Sequence, residues 1–153
     1  MAGTVYLSGP ITGLGYQEAR YGWRKEVQAA LWGESITVLS PMRHEAHLAE
    51  MSTIDTHYPE HFFSKAKVIV EKDRLDIKRS DIMLVNVLGA QRVSIGTVSE
   101  IAMAYEQGKQ TILVMEDSGN PHEHPFVTEL VSLRLNNLDD AVAAIKSLLS
   151  EGI

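Results

Sequence analysis

A doubly wound α/β domain is what this sequence predicts, and three observations predict it. Five short apolar segments read as strands, segments with helical spacing fall between them, and 153 residues suit one domain, 1–153, that buries most of its unfolded surface. Regular alternation of the two kinds of segment is the pattern of a single, mostly parallel five-stranded sheet with helices on both faces.

The first strand is Thr4-Val5-Tyr6-Leu7-Ser8, and Gly9-Pro10-Ile11-Thr12-Gly13 is the loop that leaves it. Trp23, Val27, Ala30 and Leu31 recur at helical spacing before Gly33, and Ile36-Thr37-Val38-Leu39 supplies the second strand, completing a βαβ unit. From Ser40 to about Ser64 the chain is polar, carries two prolines and four histidines and shows no sustained period, so it reads as a long loop with short helical pieces. A helix over Lys65 to Arg79, a strand over Asp81 to Val87, a helix from Val98 to Gln107 closed by Gly108, and a strand from Thr111 to Met115 follow. After a turn with Asp117, Gly119, Asn120 and Pro121 come a short helix through Phe126 to Val131, a last strand Leu133-Arg134-Leu135, and a helix Asp139 to Leu149 with Val142, Ile145 and Leu149 on one face. This order is close to the flavodoxin or Rossmann-like pattern.

Composition narrows the function classes. No apolar run approaches the ~20 residues that cross a bilayer, and the amino terminus lacks the basic start and apolar core of a secretory signal. Without cysteine there are no disulfides, so the expected compartment is the cytoplasm. Lysine and arginine number 14 against 20 acids, a net charge of 14 − 20 = −6, with the cations scattered. Broad contact with a nucleic-acid polymer needs the opposite balance, whereas a small anion can still be held by local amides and a few cations.

Ser94-Ile95-Gly96-Thr97-Val98-Ser99-Glu100 follows the apolar strand Ile82-Met83-Leu84-Val85 and meets the mouth of a helix. Ligands settle beyond the carboxyl ends of such strands, free amides at a helix start suit a phosphate, and Gly96 allows close backbone approach. Two readings of Glu100 stand together. Thr97-Val98-Ser99-Glu100 matches a capping box, in which the glutamate folds back on the first amide of its helix. Alternatively, Glu100 is a nucleophile kept ionised by the positive helix end, with Ser94, Gly96 and Thr97 as a phosphate nest. Asp73 also carries two readings. It shares a stripe with Ala66, Ile69, Val70 and Ile77, so it is either a buried acid held by a lysine or backbone amides, or a carboxylate aimed at a cleft to hold sugar hydroxyls or move a proton. Two carboxylates near strand ends suit glycosyl chemistry through an oxocarbenium-like transition state.

Gly9 to Gly13, with Ile11, could wrap a ligand, although a tight βα turn explains the same residues. His44 with His47, His57 with His61, and His122-Glu123-His124 lack the spacing of a zinc site, so they read as exposed loop residues, with no metal and no other cofactor expected. Arg43 reads as a contact to phosphate or a base edge, or as half of a surface salt bridge. Trp23 and Trp32 read as core or interface residues rather than stacking platforms.

From Val5 to about Lys109 the chain resembles the nucleoside 2-deoxyribosyltransferase family, which includes relatives that hydrolyse nucleoside 5′-monophosphates. The marks are Val5-Tyr6-Leu7-Ser8-Gly9-Pro10, the stretch Asp73 through Asp81-Ile82-Met83-Leu84, and Ser94 through Glu100 running on to Gly108-Lys109. The resemblance implies that Glu100 forms a glycosyl-enzyme intermediate, that Asp73 positions the sugar and assists proton transfer to the base, and that Tyr6 orients Glu100. It also implies a substrate pocket that includes Ser8, Gly9 and Ile11, a small-molecule nucleotide or nucleoside as partner, and a homodimer or larger homo-oligomer. Where transferases acting on free nucleosides carry an acid, this chain has Ser94, similar to the phosphate-binding serine of the hydrolases; a carboxylate there repels a 5′-phosphate. Tyr6 further points to 2′-deoxynucleotides. The expected reaction is cleavage of the N-glycosidic bond of a nucleoside 5′-monophosphate, with base transfer between deoxynucleosides and a non-catalytic nucleotide-binding module as alternatives.

Overall fold

Val5-Tyr6-Leu7, Ile82-Met83-Leu84-Val85 and Ile112-Leu113-Val114 are apolar or aromatic at every position, as strands covered on both faces require. In a computed structural model, which describes residues 3–43, 45, 54 and 65–150, these runs form the three central strands. The elements in chain order are β1 (Gly3–Ser8), α1 (Tyr16–Ala30), β2 (Ile36–Leu39), α2 (Ala66–Arg79), β3 (Ile82–Asn86), α3 (Ile95–Glu106), β4 (Gln110–Val114), α4 (Pro125–Thr128), β5 (Leu133–Leu135) and α5 (Leu138–Leu149). The sheet order is β2-β1-β3-β4-β5 and every neighbouring pair is parallel, so the sheet is wholly rather than mostly parallel.

Side-chain alternation divides the core in two. Val5, Leu7, Ile82, Leu84, Ile112 and Val114 face Val27 of α1, Leu31 at its C-cap, and Ala141 and Ile145 of α5. On the other face, Tyr6, Met83, Val85 and Leu113 pack with Ile77 of α2, Ile101 and Ala104 of α3, and Val127 of α4. Ser8 is two residues beyond Tyr6 and shares its face, toward α2 and α3. Because β1 leads outward to β2, and the chain then crosses to β3 on the opposite side of β1, the crevice at the carboxyl ends of β1 and β3 is the topological switch point.

Element boundaries differ from the sequence expectation where a cap overrides periodicity. α3 starts at Ile95 rather than Val98, since Ser94 is its N-cap and accepts the Thr97 N–H. Its end is as expected: Gly108 takes φ +69°, and the Gly108 and Lys109 amides donate back to the Tyr105 and Ala104 carbonyls. α4 stops at Thr128, short of the expected Val131. α1 is interrupted at Gly22 (φ −50°, ψ −122°), a kink at a residue without a side chain to resist it. The loop expected over Ser40 to Ser64 falls mostly outside the described residues, as do His44, His47, His57 and His61. No helix among the described residues is long and apolar enough to cross a membrane.

One glycine controls how closely the two strand ends approach. A Cβ on Gly9 would stand 2.6 Å from the Asn86 carbonyl oxygen and 3.1 Å from the Trp23 ring. Gly9→Ala therefore forces the ends of β1 and β3 apart, with an expected loss of roughly 1–3 kcal/mol in urea unfolding.

Candidate functional site

Three elements on one side of the sheet deliver polar groups to the end of β1. Tyr6 is fully buried beneath α2 and α3, and Ser8 Oγ, at the strand's last position, donates to Glu100 Oε1 of α3 at 3.3 Å. Tyr6 Oη, Glu100 Oε2 and Asp73 Oδ1 are buried and have no hydrogen-bond partner among the described residues. Unsatisfied buried polar atoms are rare in folded proteins, and three converging on one crevice mark a place built for something polar to enter. The Tyr6 hydroxyl neighbours the Glu100 carboxylate and favours its anionic form.

Electrostatics make this a strained place for charge. Burial, then the neighbouring Asp73, pushes the Glu100 carboxyl up to about 8, while Tyr6, Arg24 and Ser8 pull the other way. Burial likewise raises Asp73 to about 7, opposed chiefly by Lys72. Asp73 is among the groups that raise Glu100, so between about pH 7 and about pH 8 the two hold about one proton, mainly on Glu100. Burial and Glu100 also push the Tyr6 phenol well above its ordinary value. The expectation that the positive helix end keeps Glu100 ionised is thus corrected: α3 begins at Ile95, which leaves Glu100 more than a turn inside, and its carboxylate loses water. The capping-box reading fails for the same reason, because Ser94 caps the Thr97 amide and Glu100 turns to Ser8.

Sequence reasoning missed Arg24. It is 2% exposed, donates to the Ala19 carbonyl at 2.9 Å and the Gly9 carbonyl at 3.1 Å, and lies 4.7 Å over the Trp23 ring. Burial lowers its guanidinium to about 10, countered by Tyr6, Glu100 and Asp73, which makes it the buried cation beneath the carboxyl pair. The signal was its spacing: Arg24 occupies the stripe of Val27 and Leu31, where an apolar residue is expected.

The salt-bridged acid of α2 is Asp76, not Asp73. The inward face of α2 includes Asp76 and Ile77, while Val70, assigned to the buried stripe, is exposed. Arg43 grips both oxygens of Asp76 at 2.6 Å, and Arg79 adds a contact at 2.8 Å. Arg43 thus spends both terminal nitrogens on an ion pair that is buried on the acid's side, while lining a cavity of about 140 Å³ with Leu7, Arg20, Arg24 and Ser40. Lys72 donates to the Pro41 carbonyl at 2.8 Å and approaches Glu45 at 3.4 Å.

At the mouth of α3, Ser94 Oγ accepts from the Thr97 amide at 3.3 Å and shares a hydrogen bond with Thr97 Oγ1 at 2.9 Å. The Ile95 and Gly96 amides have no partner among the described residues, and a Cβ on Gly96 would meet nothing within 4 Å. Thr97 is buried within the cap. Gly9 serves strand approach, and the Ile11 side chain packs on Ala19, Met42 and Ile54. His122, expected on the surface, is 1% exposed, and His124 caps α4 through Nδ1. Trp23 packs against the core as expected; Trp32 is 84% exposed and no core residue. No cluster of three metal-ligating side chains occurs among the described residues.

The profile of the family described as nucleoside 2-deoxyribosyltransferase matches residues 5–138. A sequence search of curated proteins gives no match. Among solved structures, a 2-desoxiribosyltransferase from Leishmania mexicana aligns with a TM-score of 0.69 at 16% identity, over 97% of this chain and 99% of its own. A conserved protein from Enterococcus faecalis V583 aligns at 0.67 and 16% over 97% and 100% of the two chains. The CMP N-glycosidase BcmB of Clostridium botulinum aligns at 0.56 and 16% over 94% and 98%. At this identity the likeness to each structure is one of fold.

Raised acidity constants carry a stability consequence with a definite sign. A carboxyl whose folded value lies above its unfolded one favours folding while protonated and loses that contribution as pH rises toward the folded value, here from about 4.5 to about 8. Glu100→Gln should therefore raise the melting temperature at pH near 8 by about 2–4 °C per kcal/mol regained, and change it little at pH near 4, in calorimetry at both pH values.

Proposed function

Because the chain belongs to the nucleoside 2-deoxyribosyltransferase family, we propose that it cleaves the N-glycosidic bond of a 2′-deoxynucleoside 5′-monophosphate, releasing free base and sugar phosphate. The observation that carries the reading is the meeting of Tyr6, Asp73 and Glu100, each with an unsatisfied buried oxygen, on the helix whose start carries Ser94 and the unpartnered Ile95 and Gly96 amides or on elements packed against it. A sugar fits the carboxyl pair and a phosphate fits the donors.

The reaction is a double displacement. An ionised Glu100 oxygen attacks C1′ as the bond to the base nitrogen breaks; the bonding pair leaves with the base, which takes a proton from Asp73. The Asp73 carboxylate then removes a proton from water as that water's oxygen attacks C1′, and Glu100 departs as a carboxylate. Ser8 and Arg24 stabilise the anionic form of Glu100, which the first step needs and the second regenerates. Tyr6 orients Glu100 and crowds the place of a 2′-hydroxyl, which supports deoxyribose. Ser94, Gly96 and the Ile95 amide hold the phosphate, and Ser8 and Gly9 line the sugar side.

Catalysis needs Glu100 charged and Asp73 protonated, the minor arrangement of the one proton the pair holds between about 7 and about 8, so kcat/KM should trace a bell in the neutral to mildly alkaline range with limbs at those values rather than near 4. Release of base from ribo- and deoxynucleosides and their 5′-monophosphates, followed by chromatography across pH, tests this. Glu100→Ala should abolish turnover with the fold intact, Asp73→Asn should lower kcat by about 10²- to 10⁴-fold, and Ser94→Asp should weaken only the phosphorylated substrates. Formation of a new nucleotide when a second base is supplied would instead establish transfer.

A further inference from the structure

We propose that His122 is a positioning residue for the phosphate site: its neutral imidazole clamps the Ser94 amide and so aims the Ser94 hydroxyl and the free amides of Ile95 and Gly96. This rests on the reading of that site given above, but the clamp itself is a chain of forced hydrogen bonds. Asn120, 6% exposed, donates from Nδ2 to the Val87 carbonyl at 2.8 Å and to Glu116 Oε2 at 2.6 Å, so its Oδ1 must be the acceptor. That Oδ1 accepts the His122 backbone N–H at 2.9 Å and lies 3.0 Å from Nδ1 of the imidazole. Nδ1 therefore carries the proton, Nε2 is a lone pair, and it accepts the Ser94 N–H at 2.9 Å. Ser94 in turn caps α3. The orientation of the residue that meets the phosphate is thus set 28 positions away in the chain.

A protonated imidazole cannot serve. Its Nε2–H would face the Ser94 N–H, two donors with no acceptor, and one of them would have to move. Burial alone holds the His122 imidazole below its ordinary value, in keeping with a neutral working form. The charged groups of the surrounding elements are committed elsewhere. Glu116 holds Asn120 and the Gly89 amide at 2.6 Å, Glu123 pairs with Arg134 at 2.7 Å, and His124 accepts the Phe126 amide. Arg92, two residues before Ser94, extends toward Gly13.

Wild type, His122→Gln and His122→Leu test the assignment. Glutamine keeps an uncharged acceptor that does not titrate, and leucine keeps bulk alone. In ligand-free wild type, the Ser94 amide resonance should follow the His122 ring titration; in the glutamine variant it should be flat over the same range. Sulfate, which keeps its charge over this range, then probes the anion site through the Ile95 and Gly96 amides. From about pH 7.5 to about pH 5, wild type should lose about 3- to 10-fold in sulfate affinity relative to His122→Gln, roughly the worth of one hydrogen bond, while His122→Leu is weak throughout. With nucleotides, His122→Leu should raise KM for the 5′-monophosphate more than for the unphosphorylated nucleoside, and be rescued by glutamine. A Ser94 amide indifferent to His122, no sulfate response at Ile95 and Gly96, or tighter sulfate binding by acidified wild type than by the glutamine variant would each overturn the proposal. If the leucine variant does not fold, wild type and His122→Gln still decide. Nucleotides left intact by a wild type that passes the amide and sulfate arms would sink the proposed reaction and leave the clamp standing.

Discussion

Gly9 and the Asn86 carbonyl approach so closely that no side chain fits between them, and this contact sets the width of the crevice at the ends of β1 and β3. Everything that meets there hangs from those two strands or from helices packed on them. Tyr6 and Ser8 arrive because alternation turns both toward one face; Asp73 and Glu100 arrive because α2 and α3 are the helices that cover it. Arg24 comes from the opposite face and reaches the same place only by passing over the end of β1 to the Gly9 carbonyl. A switch point in a parallel sheet is the one location where both faces open to a single ligand.

Water exclusion then decides the chemistry. The same burial raises both carboxyls, raises the Tyr6 phenol and lowers the Arg24 guanidinium, so four ionisable groups are all pushed toward neutrality. Such a cluster spends folding free energy, and it survives because the hydrophobic layers on either side of the sheet are continuous. Next to it, Ser94 and Thr97 satisfy each other, and the Ile95 and Gly96 amides remain as donors. One half of the crevice thus suits a sugar and the other an anion.

Much of this was legible in the residues themselves. β2 and β5 fall where their β-branched and leucine-rich runs put them, and the alternation of elements already implied a parallel sheet, since apolar central strands must be covered on both faces. What sequence could not resolve were choices between neighbours on a helix. Asp73 and Asp76 lie three positions apart, and only the location of Arg43 and Arg79 tells which is paired and which is left unsatisfied. α3 starts three residues before its periodicity suggests, because the β-branched Ile95 and Thr97 disguise a helix start that the Ser94 cap defines. His122 reads as an exposed loop residue and Arg24 carries no signal but its stripe, yet each is buried because backbone carbonyls, an amide or a carboxamide satisfies it.

The grip of Arg43 on Asp76 has a wider meaning. Asp76 alone would add a second bare negative charge one helical turn from Asp73, and Arg43 offsets both. The proton affinity of Asp73 is therefore adjustable from the connection after β2, by a group with no need to touch the ligand. A lineage can shift the working pH of this crevice through its outer charges while the atoms facing the sugar stay as they are.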